Sequence, residues 1–289
     1  MRITVVITPQ GRPDHLERCL GALAHQTDRD FVVRVALRHE SPKAAWTSTV
    51  WEILGDVRSV TDLHVMSHTA SSEFPNAAAA RNACALFNPG EVLIFNNADT
   101  LVPPDFIAAH RERVRPGVVS VARCGLLSRA ESEALLNAPR PRAFATPEID
   151  WTDPDLIERS LSLAHDPVRR RPVVAHEDVV GPMSRGTLLW TAAQGSVIAL
   201  LTGAFLRVRG FDGRFLMRSA ASYTDLVARL MNAGLRARRG YGSECGLQLA
   251  PDSPEEVSTT TAEDVAVIER RLKDRAVLPA SEAGLDQHF

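Results

Sequence analysis

A group of oxygen-bearing side chains follows an apolar run at residues 92–95. Asn96, Asn97 and Asp99 come in quick succession after that run. A carboxylate with amide neighbours is the kind of site that Mg²⁺ or Mn²⁺ prefers, above all when the ion also carries a substrate phosphate. Asn and Asp also stabilise ordinary turns through local hydrogen bonds, and on this stretch alone a turn is the simpler interpretation. The elements around the stretch decide between the two.

Strand and helix patterns alternate up to residue 122. Short apolar runs that predict buried strands lie at residues 3–7, 31–37, 62–66, 92–95 and 118–122. Helical patterns separate several of these runs and begin near Pro13, Asn76 and Pro103. This alternation is typical of a mostly parallel sheet with crossover helices. Ligands of such sheets bind beyond the carboxyl ends of the strands, which is where Asp99 would lie.

Composition limits the class of protein. The chain has 289 residues, of which 45% are hydrophobic and 24% charged, and its formal net charge is −2. This is an ordinary globular composition, and its near-neutral charge gives no reason to expect nucleic acid as a partner. Arginine runs at 169–171 and 236–239 are typical of solvated faces, and contact with an anionic substrate is the alternative. With four cysteines, none at C-x-x-C spacing, and no leader pattern, we expect a cytoplasmic protein without an integral membrane segment.

The second half of the chain is organised differently. Residues 126–185 are rich in proline and weakly periodic, which favours an insertion over the sheet that serves as a lid or acceptor region. Residues 188–208 return to a core-like pattern, and a helical pattern follows at residues 223–233. The core of the domain therefore resumes after the insertion.

One α/β domain is expected over residues 1–250, with the insertion at 126–185. Residues 251–289 form a tail, in which the capping pair Thr261 and Asp264 predicts one helix. No internal repeat suggests a further division.

Three blocks of motifs follow one another along the chain. They are Val5-Val-Ile-Thr-Pro-Gln-Gly-Arg12 with Gln26-Thr27, then Ala80-Arg81-Asn82 with residues 89–99 and 102–106, then residues 203–215 with 224–230. In this order and spacing they resemble GT-A-fold glycosyltransferases of the large inverting family 2, over residues 1–240. The resemblance implies an α/β, Rossmann-like GT-A fold with a mostly parallel central sheet flanked by helices, an insertion before the second half and a C-terminal helical tail.

The resemblance also implies an activity and a set of site residues. Such enzymes move a sugar from a nucleotide-sugar donor to an acceptor hydroxyl, and Mg²⁺ or Mn²⁺ neutralises the charge that the leaving diphosphate gains. The implied metal ligand is Asp99. The implied donor-binding residues are Pro9, Arg12, Glu40, Arg81, Asn97 and Asp99. The implied acceptor-binding residues are Gly203, Phe211 and Asp212. The acceptor, whether saccharide, lipid or small molecule, and the oligomeric state stay open.

Several positions depart from the family's pattern. Asn97 replaces the first Asp of the D-x-D motif, and Ser222-Tyr223 replaces an acidic pair that contains the general base. A phenol does not readily abstract a proton at neutral pH. Asp225 is left as the candidate base, the alternative being that it only balances the helix dipole. The late metal-binding histidine of such enzymes has no counterpart at residues 247–249.

A local cluster in the insertion, His176-Glu177-Asp178, could supply a replacement base or ligand, although such a triplet is more often part of a solvated loop. Three functions therefore stay open. The first is an active glycosyltransferase, which the intact blocks favour. The second is a catalytically degenerate GT-A-like scaffold that binds nucleotide or protein, which the departures favour. The third is a nucleotidyltransferase, whose glycine-rich, lysine-containing phosphate loop is not found near the N-terminus. We take the first as the working hypothesis.

Overall fold

The computed structural model describes residues 1–9, 12–37, 44–69, 77–122, 124–137, 149–153, 155–156, 197–213, 215, 220–250 and 262–275. Several features predicted from the sequence lie outside these residues. They are Glu40, Asn76, His176-Glu177-Asp178, Thr261, residues 188–196 and most of the insertion at 126–185. What was predicted for them stays a prediction.

The described strands form two sheets. In chain order they are β1 (Ile3–Thr8), β2 (Phe31–Leu37), β3 (Val65–Thr69), β4 (Val92–Asn97), β5 (Thr100–Leu101), β6 (Val118–Ala122), β7 (Gly125–Leu126), β8 (Val197–Leu201), β9 (Arg236–Gly240) and β10 (Leu247–Gln248). The central sheet has the order β3-β2-β1-β4-β8-β6-β9, and a small sheet has the order β5-β10-β7. Within the central sheet only β8 runs antiparallel to its neighbours.

Helices cover both faces of the central sheet. They are α1 (Pro13–Ala24), α2 (Ala44–Val60), α3 (Ala77–Leu86), α4 (Phe106–Arg113), α5 (Arg129–Asn137), α6 (Thr202–Arg207), α7 (Ala220–Asn232) and α8 (Ala262–Asp274). Residues of α1, α2 and α4 share one apolar core with the sheet, and residues of α3, α6, α7 and α8 share the other. Strands buried on both faces read as continuous apolar runs, which is why β1 and β4 were visible in the sequence.

The fold predicted from the sequence is confirmed, with local differences. The third strand lies at Val65–Thr69 and not at 62–66, and α7 begins at Ala220 and not at 223. Helix α2 was not predicted. The arginine run at 236–239 lies in edge strand β9 and is only partly solvated, contrary to the expectation of a solvated face.

A buried polar network explains that arginine run. Arg238 Nη1 donates to Glu244 Oε2 at 2.8 Å, and the Ser120 hydroxyl donates to Glu244 Oε1 at 2.9 Å. The ring nitrogen Nδ1 of His110 lies 3.5 Å from the same Oε1, and Arg113 Nη1 lies 3.3 Å from Oε2. The carboxylate of Glu244 thus links α4, β6 and β9, and the partly buried side chain of Arg238 takes part in this network.

The tail helix is part of the same structure. Ile268 and Leu272 of α8 are buried in the core that α7 also lines, as their helical spacing predicted. Arg271 forms ion pairs with Asp212 and Asp225, all three of them buried. Helix α8 is therefore held on α7 by apolar contacts and by buried charges. None of the described helices has the length and apolar character needed to cross a membrane.

Candidate functional site

The carboxyl ends of β1 and β4 lie side by side and define the edge at which the site is built. Thr8 pairs with Asn97 in the parallel register of these strands. The backbone N–H of Ala98 donates to the carbonyl of Thr8 at 3.3 Å. The chain then turns through Asp99, which is partly exposed, into β5. The predicted polar group at the end of the buried strand is therefore where the sequence placed it.

Asp99 is held by hydrogen bonds on both carboxylate oxygens. The Thr100 hydroxyl donates to Oδ1 at 3.3 Å, and Gln248 Nε2 donates to Oδ2 at 2.9 Å. Burial raises the pKa of the Asp99 carboxyl, whereas the hydrogen bond from Gln248 and the nearby charge of His15 act in the lowering direction. Neither Gln248 nor His15 was predicted as a site residue.

Asn97 is hydrogen bonded to Tyr223, which stands where the resemblance predicts an acidic residue. The hydroxyl of Tyr223 in α7 donates to Asn97 Oδ1 at 3.3 Å. Burial raises the pKa of the Tyr223 phenol, so the side chain is a neutral hydrogen-bond donor at neutral pH. Tyr223 and Asn97 together close the edge of the site between β4 and α7.

Arg81 of α3 fastens the end of β1 to the start of α7. Its Nε donates to the Thr8 hydroxyl at 2.9 Å, and its Nη1 donates to the Ser222 hydroxyl at 3.1 Å. The guanidinium carbon lies 4.6 Å from the centre of the Tyr223 ring and 5.2 Å from that of Phe211. Arg81 is buried at the predicted edge, and these contacts are those of a structural cation, while its role as a donor ligand stays a prediction.

Asn82, the neighbour of Arg81, positions the loop after α6. Its Nδ2 donates to the carbonyl of Phe211 at 3.0 Å, and its Oδ1 accepts from the N–H of Phe211 at 2.9 Å. Gly210, which precedes Phe211, has φ +66°, and a Cβ there would lie 2.5 Å from Asn82 Oδ1. Only glycine therefore allows this close approach.

Asp225 lies in a buried ion cluster below the site. It is fully buried, its Oδ2 accepts from Arg229 Nε at 2.9 Å, and its Oδ1 is paired with Arg271. Arg229 also donates to the carbonyls of Val208 and Gly210. With two cationic partners and no exposed surface, this setting favours a structural role over proton abstraction from an acceptor.

Gly203, one of the three predicted acceptor residues, is not brought to the edge that holds Asp99. Antiparallel β8 pairs Leu201 with Val92, so α6 and Gly203 begin at the opposite edge. The length of β4 separates the two edges by roughly 16 Å at about 3.3 Å per residue. Phe211 and Asp212 are fully buried, the former among aromatic rings and the latter paired with Arg271. Phe211 packs against Tyr223 and Arg81 at the edge of the site, and the acceptor role of all three positions stays a prediction.

Two further predicted donor residues, Pro9 and Arg12, flank the end of β1, and Glu40 lies outside the described residues. Pro9 is buried directly after the strand, and Arg12 precedes α1 with its Nε 2.9 Å from Asp14 Oδ1. His15, in the first turn of α1, is also buried. His15 lies one helical turn before Cys19, and the Sγ of Cys19 contacts the backbone carbonyl of Asn97 at 3.7 Å. The spacing of these two residues on α1 could have indicated that His15 lies near the end of β4.

The described residues could hold a divalent cation only together with a bound diphosphate, which would supply further ligands to the ion. No group of three or more His, Cys, Asp or Glu side chains that could hold an ion is found among them. Asp99 offers a single carboxylate at the exposed turn. Mg²⁺ in nucleotide sites is usually held by one or two carboxylates, by waters and by the phosphates themselves. The donor set of this edge fits that arrangement, in which Asp99 would be the protein's ligand.

Comparison with known proteins identifies the fold. No family model and no curated protein match the chain. Among solved structures, it is similar to the mannosyltransferase PcManGT from Pyrobaculum calidifontis in complex with GDP-Man and Mn²⁺ (16% identity, TM-score 0.53), over 88% of this chain and 58% of that one. It is also similar to S. aureus TarS 1–349 in complex with UDP-GlcNAc (12% identity, TM-score 0.61), over 95% of this chain and 66% of that one.

The chain therefore has the GT-A glycosyltransferase fold. It spans 58–66% of the length of the two solved chains named above. At 12–16% identity, the similarity shows the fold alone and does not show the activity.

Proposed function

We propose that the protein transfers a sugar from a nucleotide-sugar donor to an acceptor hydroxyl. The observation that carries the proposal is the placement of Asn97 at the end of β4, paired with Thr8 at the end of β1, and of Asp99 just beyond it. Ligands of open α/β sheets bind at this edge, and the sheet has the GT-A arrangement. The GDP-Man and UDP-GlcNAc of the neighbouring structures make GDP- and UDP-sugars the first donors to test.

Each residue of the edge has a part in this proposal. Asp99 would hold Mg²⁺ or Mn²⁺ together with the donor diphosphate, and such an ion supplies charge neutralisation for the leaving group. Asn97, whose Oδ1 is engaged by Tyr223, has an amide N–H₂ group that can donate to a donor hydroxyl. Arg81 keeps Thr8 and Ser222 in place and brings positive charge close to the same edge. Pro9, Arg12 and Glu40 stay predicted donor contacts.

The acceptor side and the stereochemistry rest on the resemblance alone. Inversion, membership of family 2 and a cytoplasmic location stay predictions, and the acceptor is a saccharide, a lipid or a small molecule. Asp225 stays the carboxylate that the resemblance names as base, although its ion pairs with Arg229 and Arg271 favour a structural role. A proton acceptor on the substrate, or in the insertion, is equally compatible with transfer.

A donor screen tests the proposal. The protein is incubated with GDP-, UDP- and dTDP-sugars, with Mg²⁺ or Mn²⁺ and with EDTA, and both thermal stabilisation and hydrolysis of the donor are measured. Binding of one nucleotide class with slow hydrolysis supports the proposal. Failure of all donors to bind, with or without a cation, contradicts it.

One observation favours a second candidate, a scaffold that binds a nucleotide without turnover. The phenol of Tyr223 stands where the resemblance expects a carboxylate, and it is fixed to Asn97 and packed against Arg81. A donor that binds but is neither hydrolysed nor transferred to any acceptor would favour this scaffold over the transferase.

A further inference from the structure

We propose that Gln248 determines how the donor site binds its cation: Mn²⁺ or Mg²⁺ enters together with the nucleotide diphosphate and does not reside there alone. The inference deepens the proposed function and rests on its assignment of the donor site to Asp99. It follows from the hydrogen bond of 2.9 Å from Gln248 Nε2 to Asp99 Oδ2.

The backbone fixes the position of Gln248. Strand β10 pairs antiparallel with β5, so that Gln248 stands opposite Thr100. The N–H of the following residue, Leu249, donates to the carbonyl of Asp99 at 2.8 Å. Leu247 and Leu249 are buried and anchor the strand on either side. Any side chain at position 248 therefore meets Asp99, and its chemistry decides what the carboxylate can bind.

An amide N–H and a metal ion compete for the same oxygen. The N–H₂ group of Gln248 directs its positive end to Asp99 Oδ2, and an amide nitrogen has no lone pair to offer a cation. The Thr100 hydroxyl engages the other oxygen at 3.3 Å. Both oxygens of the Asp99 carboxylate thus already accept hydrogen bonds. In addition, one carboxylate alone holds a divalent ion weakly.

A diphosphate changes this balance. Its oxygens supply the ligands that the protein does not provide, and they add negative charge for the ion. The ion then needs only a remaining lone pair of Asp99, because a carboxylate offers about four such positions. Cation and nucleotide are therefore expected to bind as one unit, each raising the affinity for the other by the same factor.

The experiment measures Mn²⁺ binding directly, by electron paramagnetic resonance of free Mn²⁺, with no need for turnover. Wild type is titrated alone, with GDP and with UDP. We expect weak binding of Mn²⁺ alone and a tightening of roughly 5- to 150-fold with the nucleotide that fits. Isothermal titration of the same nucleotide with and without Mn²⁺ should give the reciprocal factor.

Two variants of similar size separate the chemistry from the packing. Gln248→Glu replaces the competing N–H₂ by a second hard-oxygen ligand, so Mn²⁺ alone should bind roughly tenfold tighter or more, since affinity rises with the charge count of the ligands. Gln248→Met removes the competing donor and adds no oxygen ligand, so Mn²⁺ alone should bind much less tightly than in Gln248→Glu, and the tightening by nucleotide should stay intact. Melting curves with and without Mn²⁺ show that both variants are folded and report the gain as a rise in Tm for Gln248→Glu only.

Three results would overturn the inference. The first is wild type that binds Mn²⁺ alone as tightly as with nucleotide. The second is a folded Gln248→Glu variant without a gain. The third is a Gln248→Met variant that loses the nucleotide-linked tightening, because the amide oxygen would then be a ligand. If no nucleotide binds at all, the proposed function fails, whereas the gain of Mn²⁺ binding in Gln248→Glu would still support the role of this position.

Discussion

Arg81 Nε donates a hydrogen bond of 2.9 Å to the hydroxyl of Thr8, and the same guanidinium reaches Ser222 in α7. One buried cation, the guanidinium of Arg81 in α3, thus joins β1 to α7. Thr8 also pairs with Asn97 in the parallel register of β1 and β4. The fold at the candidate donor edge therefore depends on Arg81.

The Arg81→Ala variant is expected to be less stable. It removes two hydrogen bonds from a charged donor, each with a net worth of roughly 1.5–3 kcal/mol, and leaves the hydroxyls of Thr8 and Ser222 without their partner. The free energy of unfolding, measured by urea denaturation, should fall by at least about 2 kcal/mol. Arg81→Lys keeps the positive charge but not the planar guanidinium that makes both hydrogen bonds, so its loss of unfolding free energy should be smaller than that of Arg81→Ala.

Stability and donor binding are separable in the same variants. Unchanged stability in Arg81→Ala, with weaker binding of the donor, would mean that the guanidinium serves the donor and not the fold. A loss of stability that Arg81→Lys largely restores agrees with the contacts described above.

Asp225→Asn distinguishes a general base from a buried ion pair. Removing this charge leaves Arg229 and Arg271 with one carboxylate fewer, and a broken buried pair typically costs roughly 3–5 kcal/mol. Loss of a general base would instead lower turnover by roughly 10²–10⁴-fold. We expect a large fall in Tm and, at a temperature where the variant is folded, turnover within a few-fold of wild type.

Arg271→Leu serves as the matched control for that prediction. It breaks the same cluster from α8 and should destabilise the protein in the same way. A turnover loss of about 10²-fold or more in Asp225→Asn, absent from Arg271→Leu, would show that Asp225 acts in catalysis.

The network around Glu244 predicts a loss of stability in acid. Burial lowers the pKa of His110 to about 4, below the value of about 6.5 in unfolded chains. The unfolded state therefore binds the proton first, and stability falls as the pH drops from about 6.5 to about 4, by roughly 3 kcal/mol at most. The pKa of Glu244 is also lowered: burial would raise it, but the hydrogen bond from Arg238 and the charge of His110 prevail, so its contribution is likewise lost in acid.

His110→Phe tests the origin of this pH dependence. The ring of His110 already packs edge-on against Phe106 at 4.5 Å between centroids, so a phenyl ring suits the position, and it does not titrate. The slope of unfolding free energy against pH between about 6.5 and 4 should become shallower. His64→Gln, at an exposed position, should retain the wild-type slope. Equal slopes in all three proteins would show that His110 is not responsible.

The parts of the fold that local patterns encode could be predicted from the sequence. The continuous apolar run of β4 and the alanines of α3 predicted both elements, because a strand buried on two faces and a helix packed closely on a sheet restrict residue types locally. The polar group at 96–99 then followed from the general position of ligand sites in parallel sheets.

The parts that depend on strand direction and long-range register could not be predicted. Gly203 was assigned to the acceptor side, but β8 runs antiparallel and delivers it to the far edge, and no local signal in residues 197–201 gives that direction. In the sequence, Gln248 indicated only that residues 247–249 lack the histidine that the resemblance implies. Its contact with Asp99 results from the register of β10 on β5, which joins residues that are 149 positions apart.

The most direct test of the donor site is the affinity of the Asp99→Ala variant for GDP and UDP in the presence and absence of Mn²⁺. The variant should remain folded, because Asp99 lies in a partly exposed turn, and Asp62→Ala, at an exposed position, serves as the control. We predict that Asp99→Ala loses the Mn²⁺-dependent part of nucleotide binding, whereas Asp62→Ala keeps it. Nucleotide affinity and Mn²⁺ dependence equal to those of wild type in a folded Asp99→Ala variant would contradict the account.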